Sequence, residues 1–532
     1  MLFLRKYIPA LLAILLFTYY LVLAWVLHRT GFEHSEALFL AEKTKLLFQA
    51  RDNTLLTLGT TFPSLVFLST VVFSFFGFPF APVLASASFT TLLFFILVKD
   101  FSKTNIQQRI YLPMLVLLFV LHPGLIYTGV TGRGVALVLL FFYLVFRSLF
   151  SYYKTQTTFS LSMASIYLTC LIFCNFSFIW LLLGLIPFVV LVALDGLKQA
   201  KHGSPIIQYY ESVNNSSQRR KLTNRTIAIY IILFLLPLVA LYLFRVLNSV
   251  HAGNGTYFLT SQYSNWSITG TESLGSIYNR SGQSLNILAQ HQIIFPAYIL
   301  ALTPLLLVVF FWFKGRLYEL CTLLAPFILI SILLLDNQIY FTVEYYLIFL
   351  ILGLIGVYYF AGRKYSVKTM YPVIMLATVL NIFAGIFYFK KTSDIEEKIF
   401  FTAIKNASKP RPEKVITEEH RMAVYISSII GDKPNLSSKI LMDDAASYSI
   451  IAQMHKIDNV ILPVNYDFLT AAENPKVATK YLCIAKDSNR LRGFTILNNY
   501  NLKKMTAAHA VPPTLMFETN NWAVYKLNNH LD

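Results

Sequence analysis

The apolar run Tyr7–Leu27, YIPALLAILLFTYYLVLAWVL, is followed within a few residues by the acidic stretch Gly31–Leu38, GFEHSEAL. This succession decides how the rest of the chain is read. An uncharged run of this length forms a helix of about 30 Å, the thickness of a bilayer's hydrocarbon core. Arg5 and Lys6 precede the run and no small-residue cleavage site follows it, so it reads as an uncleaved anchor. Ten further apolar runs have spans near Phe80–Val98, Ile110–Gly129, Gly134–Tyr153, Thr157–Cys174, Ser177–Leu194, Thr226–Leu247, Ile293–Phe313, Leu317–Leu335, Val343–Ala361 and Tyr371–Phe389. Composition agrees: of 532 residues 56% are hydrophobic and 13% charged, where a soluble chain carries about 25% charged. Residues 1–389 therefore read as a polytopic α-helical membrane domain of about 11 spans.

A further apolar run, Phe62–Phe76, is bracketed by Pro63 and Gly77 and is short for a crossing. If it does not cross, the N-terminus is cytoplasmic, and eighteen Lys and Arg residues of the membrane domain fall inside against seven outside. A crossing would reverse this, so the run is expected to be an interfacial or re-entrant helix on the outer side. The outer face then carries two large loops, 29–79 and 248–292. Lys390 and Lys391, on the outer flank of the last span, run against the charge rule. Most of the chain's net charge of +18 lies in residues 1–389, where basic residues gather in short connections between apolar runs, and no separate basic domain with interleaved aromatics occurs, which argues against a nucleic-acid-binding reading. Four scattered cysteines support neither a disulfide framework nor a cysteine metal site.

Residues 390–532 have the composition of a soluble domain. A helical pattern over Lys414–Ile430 leads to a short strand at Lys439–Met442, which ends in Asp443 and Asp444. Further strands fit Asn459–Leu462, Tyr481–Ala485 and Trp522–Leu527, with helical stretches between. Strands alternating with helices predict a small α/β domain with a partly parallel sheet, outside the membrane in this topology. Neither GxGxxG nor GxxxxGK[ST] is present, so nothing marks a nucleotide site.

Membrane-domain carboxylates are few, and those just outside the first span are the leading candidates for chemistry. Were the chain helical from Glu33, that residue and Glu36 would share a face and address one site. A carboxylate there can act as general base on an acceptor hydroxyl or amine; the alternative is a solvated loop with capping acids. His34 has no second histidine at ligand spacing and is expected to orient a neighbour or face water. On the same side lie Arg133 in Thr131-Gly132-Arg133-Gly134, Arg280 and Arg51, whose guanidinium forks suit a lipid phosphate. Arginine at a span end can equally snorkel to the interface. Pro123, after His122, is expected to kink its span, and Asp336 and Glu344 flank a short outer turn where they cap helices or face the same cavity.

This layout resembles the GT-C superfamily of membrane glycosyltransferases, and is similar to bacterial protein O-mannosyltransferases and the lipid A aminoarabinose transferase. His34-Ser35-Glu36-Ala37 resembles the acidic "DEA" element, Thr61-Phe62-Pro63-Ser64-Leu65-Val66-Phe67 the "hPPLyf" segment, and Phe75-Phe76-Gly77 its "lfG" ending. The stretch 255–263, containing Tyr257 and Tyr263, looks like the large outer loop of that family, and 440–448 like the start of its extracytoplasmic domain. The resemblance implies an inverting transferase of the cytoplasmic membrane. It would use a polyprenyl-phosphate-linked sugar and a lipid, glycan or protein acceptor. Carried over by position, Glu36 is the base with Glu33 beside it; Arg133, Arg280 and Arg51 bind donor phosphate; His34, Tyr257 and Tyr263 support the site. A divalent metal is possible in such sites. Here Ser35 stands where the usual Asp would be, no DxD or ExD occurs, and Glu344 takes a place where many members have Arg. A catalytically inactive scaffold, docking a protein partner through residues 390–532, is the alternative.

Overall fold

In the computed structural model, residues 2–527 are described apart from 51, 105–107, 198–204, 265–293, 313–316, 336–340, 362–366, 393, 408–415, 432–437 and 503–511. Each of the eleven apolar runs is helical. Five are helices long and apolar enough to cross a membrane alone: Tyr7–Arg29, Ala81–Phe101, Val135–Thr155, Ser216–Ala252 and Met370–Lys391. Two are bent pairs, Ile110–Leu121 with Pro123–Val130 at 64° and Phe176–Gly184 with Ile186–Asp195 at 40°. The other four runs are Thr158–Cys174, Ile294–Leu302 with Pro304–Trp312, Leu317–Leu335 and Val343–Ala361. The protein is a multi-pass helical membrane protein with a small sheet near its C-terminus. The 64° bend falls at His122–Pro123, because proline removes a backbone donor and starts the next helix in its first turn.

The segment between the first and second spans is three short helices, Ser35–Gln49, Thr54–Thr60 and Ser64–Phe73, the last continuing as a 3-10 turn to Phe76. From Ser64 to Phe76 the rise is about 20 Å, too little for a crossing. Its tip stays apolar and uncovered, with Phe75 88% and Phe76 73% exposed.

Bundle packing depends on close approaches. Tyr20 is fully buried and donates its hydroxyl to the Phe119 carbonyl at 2.7 Å. Its ring lies where Gly129 has no side chain, and a Cβ at 129 would come within 2.8 Å of it.

The C-terminal sheet comprises β1 (Ile440–Leu441), β2 (Val460–Ile461), β3 (Tyr481–Ala485), β4 (Thr514–Glu518) and β5 (Trp522–Lys526), in the order β2-β1-β3-β5-β4. β1 pairs parallel with β2 and β3, while β3–β5 and β5–β4 are antiparallel. The partly parallel sheet is thus as the sequence predicts, with β4 added. That strand lies at an edge, largely exposed, and lacks the alternation that burial of one face imposes. Two apolar cores interlock: Phe400 and Ala403 of the helix Ile395–Ala407 join the bundle core, and Phe39 and Leu46 of Ser35–Gln49 join the core around the sheet.

Replacing Gly129 with Val forces Tyr20 off its rotamer. It is expected to destabilise the protein by about 1–3 kcal/mol, read as a lowered melting temperature in detergent, whereas Tyr20→Phe removes one hydrogen bond and costs about 1 kcal/mol.

Candidate functional site

Helix Ser35–Gln49 begins with His34 as its N-cap, the imidazole Nδ1 accepting the Glu36 N–H at 3.1 Å. An accepting Nδ1 puts the ring hydrogen on Nε2, which faces Glu396 Oε2 at 2.7 Å and the Tyr127 hydroxyl at 2.8 Å. His34 therefore orients its neighbours, one of the two roles the sequence allows it. Since the helix starts at Ser35, Glu33 lies before it and does not share a face with Glu36. Glu33 instead accepts from Gln453 Nε2 and meets His28 Nδ1 at 3.3 Å.

Glu36 and Arg133, 97 residues apart, come together. Glu36 Oε2 accepts Arg133 Nε–H at 2.8 Å and Oε1 accepts the Gly134 N–H at 2.9 Å, with Glu36 2% and Arg133 8% exposed. Gly134 precedes helix Val135–Thr155, so the carboxylate sits at a helix N-terminus, where unpaired amides and the macrodipole favour an anion. Gly132 has φ +75°, and a Cβ there would meet Ala37 Cβ at 2.9 Å; this explains the flanking glycine. Arg133 also donates from Nη1 to the Tyr127 hydroxyl at 3.4 Å. A cavity of about 10 Å³, room for one water, is bounded by Ser69, Thr70, Ser86, Gly132, Arg133 and Gly134.

A second acid, Glu344, is buried and accepts Asn175 Nδ2–H at 2.6 Å. Glu397, also buried, accepts the Val343 N–H at 2.7 Å and the hydroxyls of Tyr388 and Thr392 at 2.8 and 2.6 Å. Tyr127, Asn175, Glu396 and Glu397 were not singled out by sequence; Asp394-Ile395-Glu396-Glu397, acids opening a helix just after the last span, is the signal that points to the last two. Arg51, Arg280 and Asp336 lie outside the described residues.

Further along Ser35–Gln49, Lys43 Nζ contacts Asp444 Oδ2 at 2.6 Å and Glu42 Oε2 at 3.3 Å, all three residues being buried. Beside them is a cavity of about 30 Å³ whose walls include Lys43, Thr57, Thr61, Tyr257, Tyr263 and Asp444. Tyr257 and Tyr263 therefore gather here and not at the Glu36–Arg133 pair. Burial pushes Glu42 up to about 8, Lys43 opposing and the Asp444 charge adding to the rise. Burial likewise raises Asp443 to about 7, with Asp444 beside it.

As to a metal, both oxygens of Glu36 are engaged, by a guanidinium and by an amide. Among the described residues no group of three His, Cys, Asp or Glu side chains could hold an ion. In this closed arrangement Glu36 offers no unengaged oxygen to a cation.

Neither models of protein families nor curated protein sequences give a match to this chain. Among solved structures, the chain aligns with the archaeal oligosaccharyltransferase AglB from Archaeoglobus fulgidus, in complex with an inhibitory peptide and a dolichol-phosphate. The alignment has 10% identity and a TM-score of 0.42, over 99% of this chain and 75% of that one.

Glu42 and Asp443 hold protons more tightly folded than unfolded. The stability this gives is full below about pH 4 and is lost as pH rises through about 7 and 8. Melting temperature is therefore expected to fall between pH 5 and pH 9, and Glu42→Gln, which mimics the protonated acid, is expected to flatten the fall.

Proposed function

We propose that the protein is an inverting membrane glycosyltransferase, moving a sugar from a polyprenyl-phosphate donor to an acceptor at the outer face of the cytoplasmic membrane. The observation that carries this reading is the seat of Glu36: the carboxylate occupies a cradle made of Arg133 Nε–H and Gly134 N–H at the head of a 21-residue helix. Those donors are the ones a phosphate oxygen would take. A donor phosphate entering this cradle displaces the carboxylate, which becomes free to act as base.

The step then balances. The acceptor's O–H oxygen attacks sugar C1 from the face opposite the phosphate, the bond from C1 to the phosphate oxygen breaks, and the acceptor proton passes to Glu36. Polyprenyl phosphate leaves as an anion facing Arg133, whose charge offsets the one that develops. The cavity beside Arg133 is smaller than a phosphate, so donor entry requires the elements that bound it to separate. Within this reading the GT-C resemblance supplies the donor class and the orientation, while the sugar and acceptor are not specified.

The scaffold reading is favoured by one specific observation: Glu36 and Arg133 satisfy one another and are both buried. The two readings diverge on Glu36→Gln. In a transfer assay with polyprenyl-phosphate sugar, the transferase reading expects kcat to fall by about 10²–10⁴. It also expects a lower KM for donor, because the competing carboxylate charge is gone. Arg133→Ala is expected to raise donor KM. Turnover in Glu36→Gln equal to wild type would overturn the assignment.

A further inference from the structure

The helix that presents Glu36 is held at its far end by the C-terminal domain. Lys45 is 1% exposed, and its ammonium donates to the carbonyls of Ile451 at 2.8 Å, Ala452 at 2.7 Å and Met454. These are the carbonyls at and just beyond the C-terminus of helix Asp444–Gln453, which a helix leaves without partners and where the macrodipole favours a cation. Lys43 binds Asp444, the first residue of the same helix, at 2.6 Å. Gln453, its last residue, donates to Glu33. One ten-residue helix of the C-terminal domain is therefore gripped at both ends by the first outer loop. Phe39 and Leu46 add apolar contact between the two.

Lys43 and Glu36 are seven residues apart on a continuous helix, about 10 Å along its axis. The ion-pair end and the domain end consequently move as one rigid body. We infer that Lys43 and Lys45 are positioning residues: through the helix Ser35–Gln49 the C-terminal domain sets where the Glu36 carboxylate sits against Arg133 and Gly134. This rests on the transferase reading only for its kinetic consequence. The mechanical claim stands on the contacts alone. The start of the helix has its own tether, the Ser35 N–H donated to Glu396 Oε1 at 3.0 Å, so loosening the far end should weaken the seat without abolishing it.

The test uses the full chain in detergent and follows hydrogen exchange of the Gly134 amide, which donates to Glu36 Oε1. Lys45→Met is expected to speed that exchange about tenfold, and Lys45→Arg, which keeps the charge, to restore most of the protection. Exchange at Cys483 and Val524, in the paired strands β3 and β5, reports whether the domain remains folded. Asp444→Asn, which weakens the Lys43 contact at the same far end, gives the same readout should Lys45→Met unfold the domain. Unchanged Gly134 exchange in a variant whose C-terminal domain stays folded overturns the inference. Where the transferase reading holds, Lys45→Met also lowers kcat more than it changes donor KM. Wild-type transfer by Glu36→Gln would overturn that reading and leave the exchange result standing.

Discussion

Four ionisable side chains of one 15-residue helix are buried: Glu36, Glu42, Lys43 and Lys45 on Ser35–Gln49. Taking a charge out of water costs several kcal/mol per ion unless a partner of good geometry meets it. Three of them, Glu36, Lys43 and Lys45, therefore dictate something about the chain around the helix. Glu36 requires Arg133 and the Gly134 amide, which fixes the turn between Pro123–Val130 and Val135–Thr155. Lys43 requires Asp444, and Lys45 requires the C-terminal carbonyls of Asp444–Gln453, which fixes the C-terminal domain on top of the loop. The loop after the first span is thus the joint on which bundle and domain meet.

The same helix accounts for the character of the site. Both oxygens of the Glu36 carboxylate are engaged where it sits, one by the Arg133 guanidinium and the other by the helix-terminal Gly134 amide, so neither faces an acceptor. The arrangement is a closed one, and the proposed chemistry begins with its exchange for another anion. At the far end, Glu42 and Asp443 crowd against Asp444 with Lys43 as counter-ion. Charge state there bears on how firmly the domain is held, and so on the helix that carries Glu36.

Much of this architecture is legible in the sequence. The eleven apolar runs, the kink at Pro123 and four of the five strands follow from hydropathy, proline chemistry and alternation. That Ser64–Phe76 is a helix too short to cross follows from the length of its apolar run. Glu36 and Arg133 stand out individually, because charge is scarce in residues 1–389. Their pairing across 97 residues does not, since tertiary contact leaves no local pattern. For the same reason Lys43 and Lys45 read as ordinary loop lysines, although both are buried. Glu33 and Glu36 look like a matched pair by spacing and are separated in the fold by a helix start that the histidine cap defines. β4 escapes notice because an exposed edge strand has no buried face to impress a period of two.

The claim on which the rest depends is that Glu36 and Arg133 are energetically joined and not merely adjacent. A double-mutant cycle measures this directly: melting of wild type, Glu36→Gln, Arg133→Gln and the double variant in detergent. The expected coupling is about 2 kcal/mol or more, each single change leaving a buried charge unpaired and the double change costing less than the sum. Additive effects, with coupling near zero, would contradict the account.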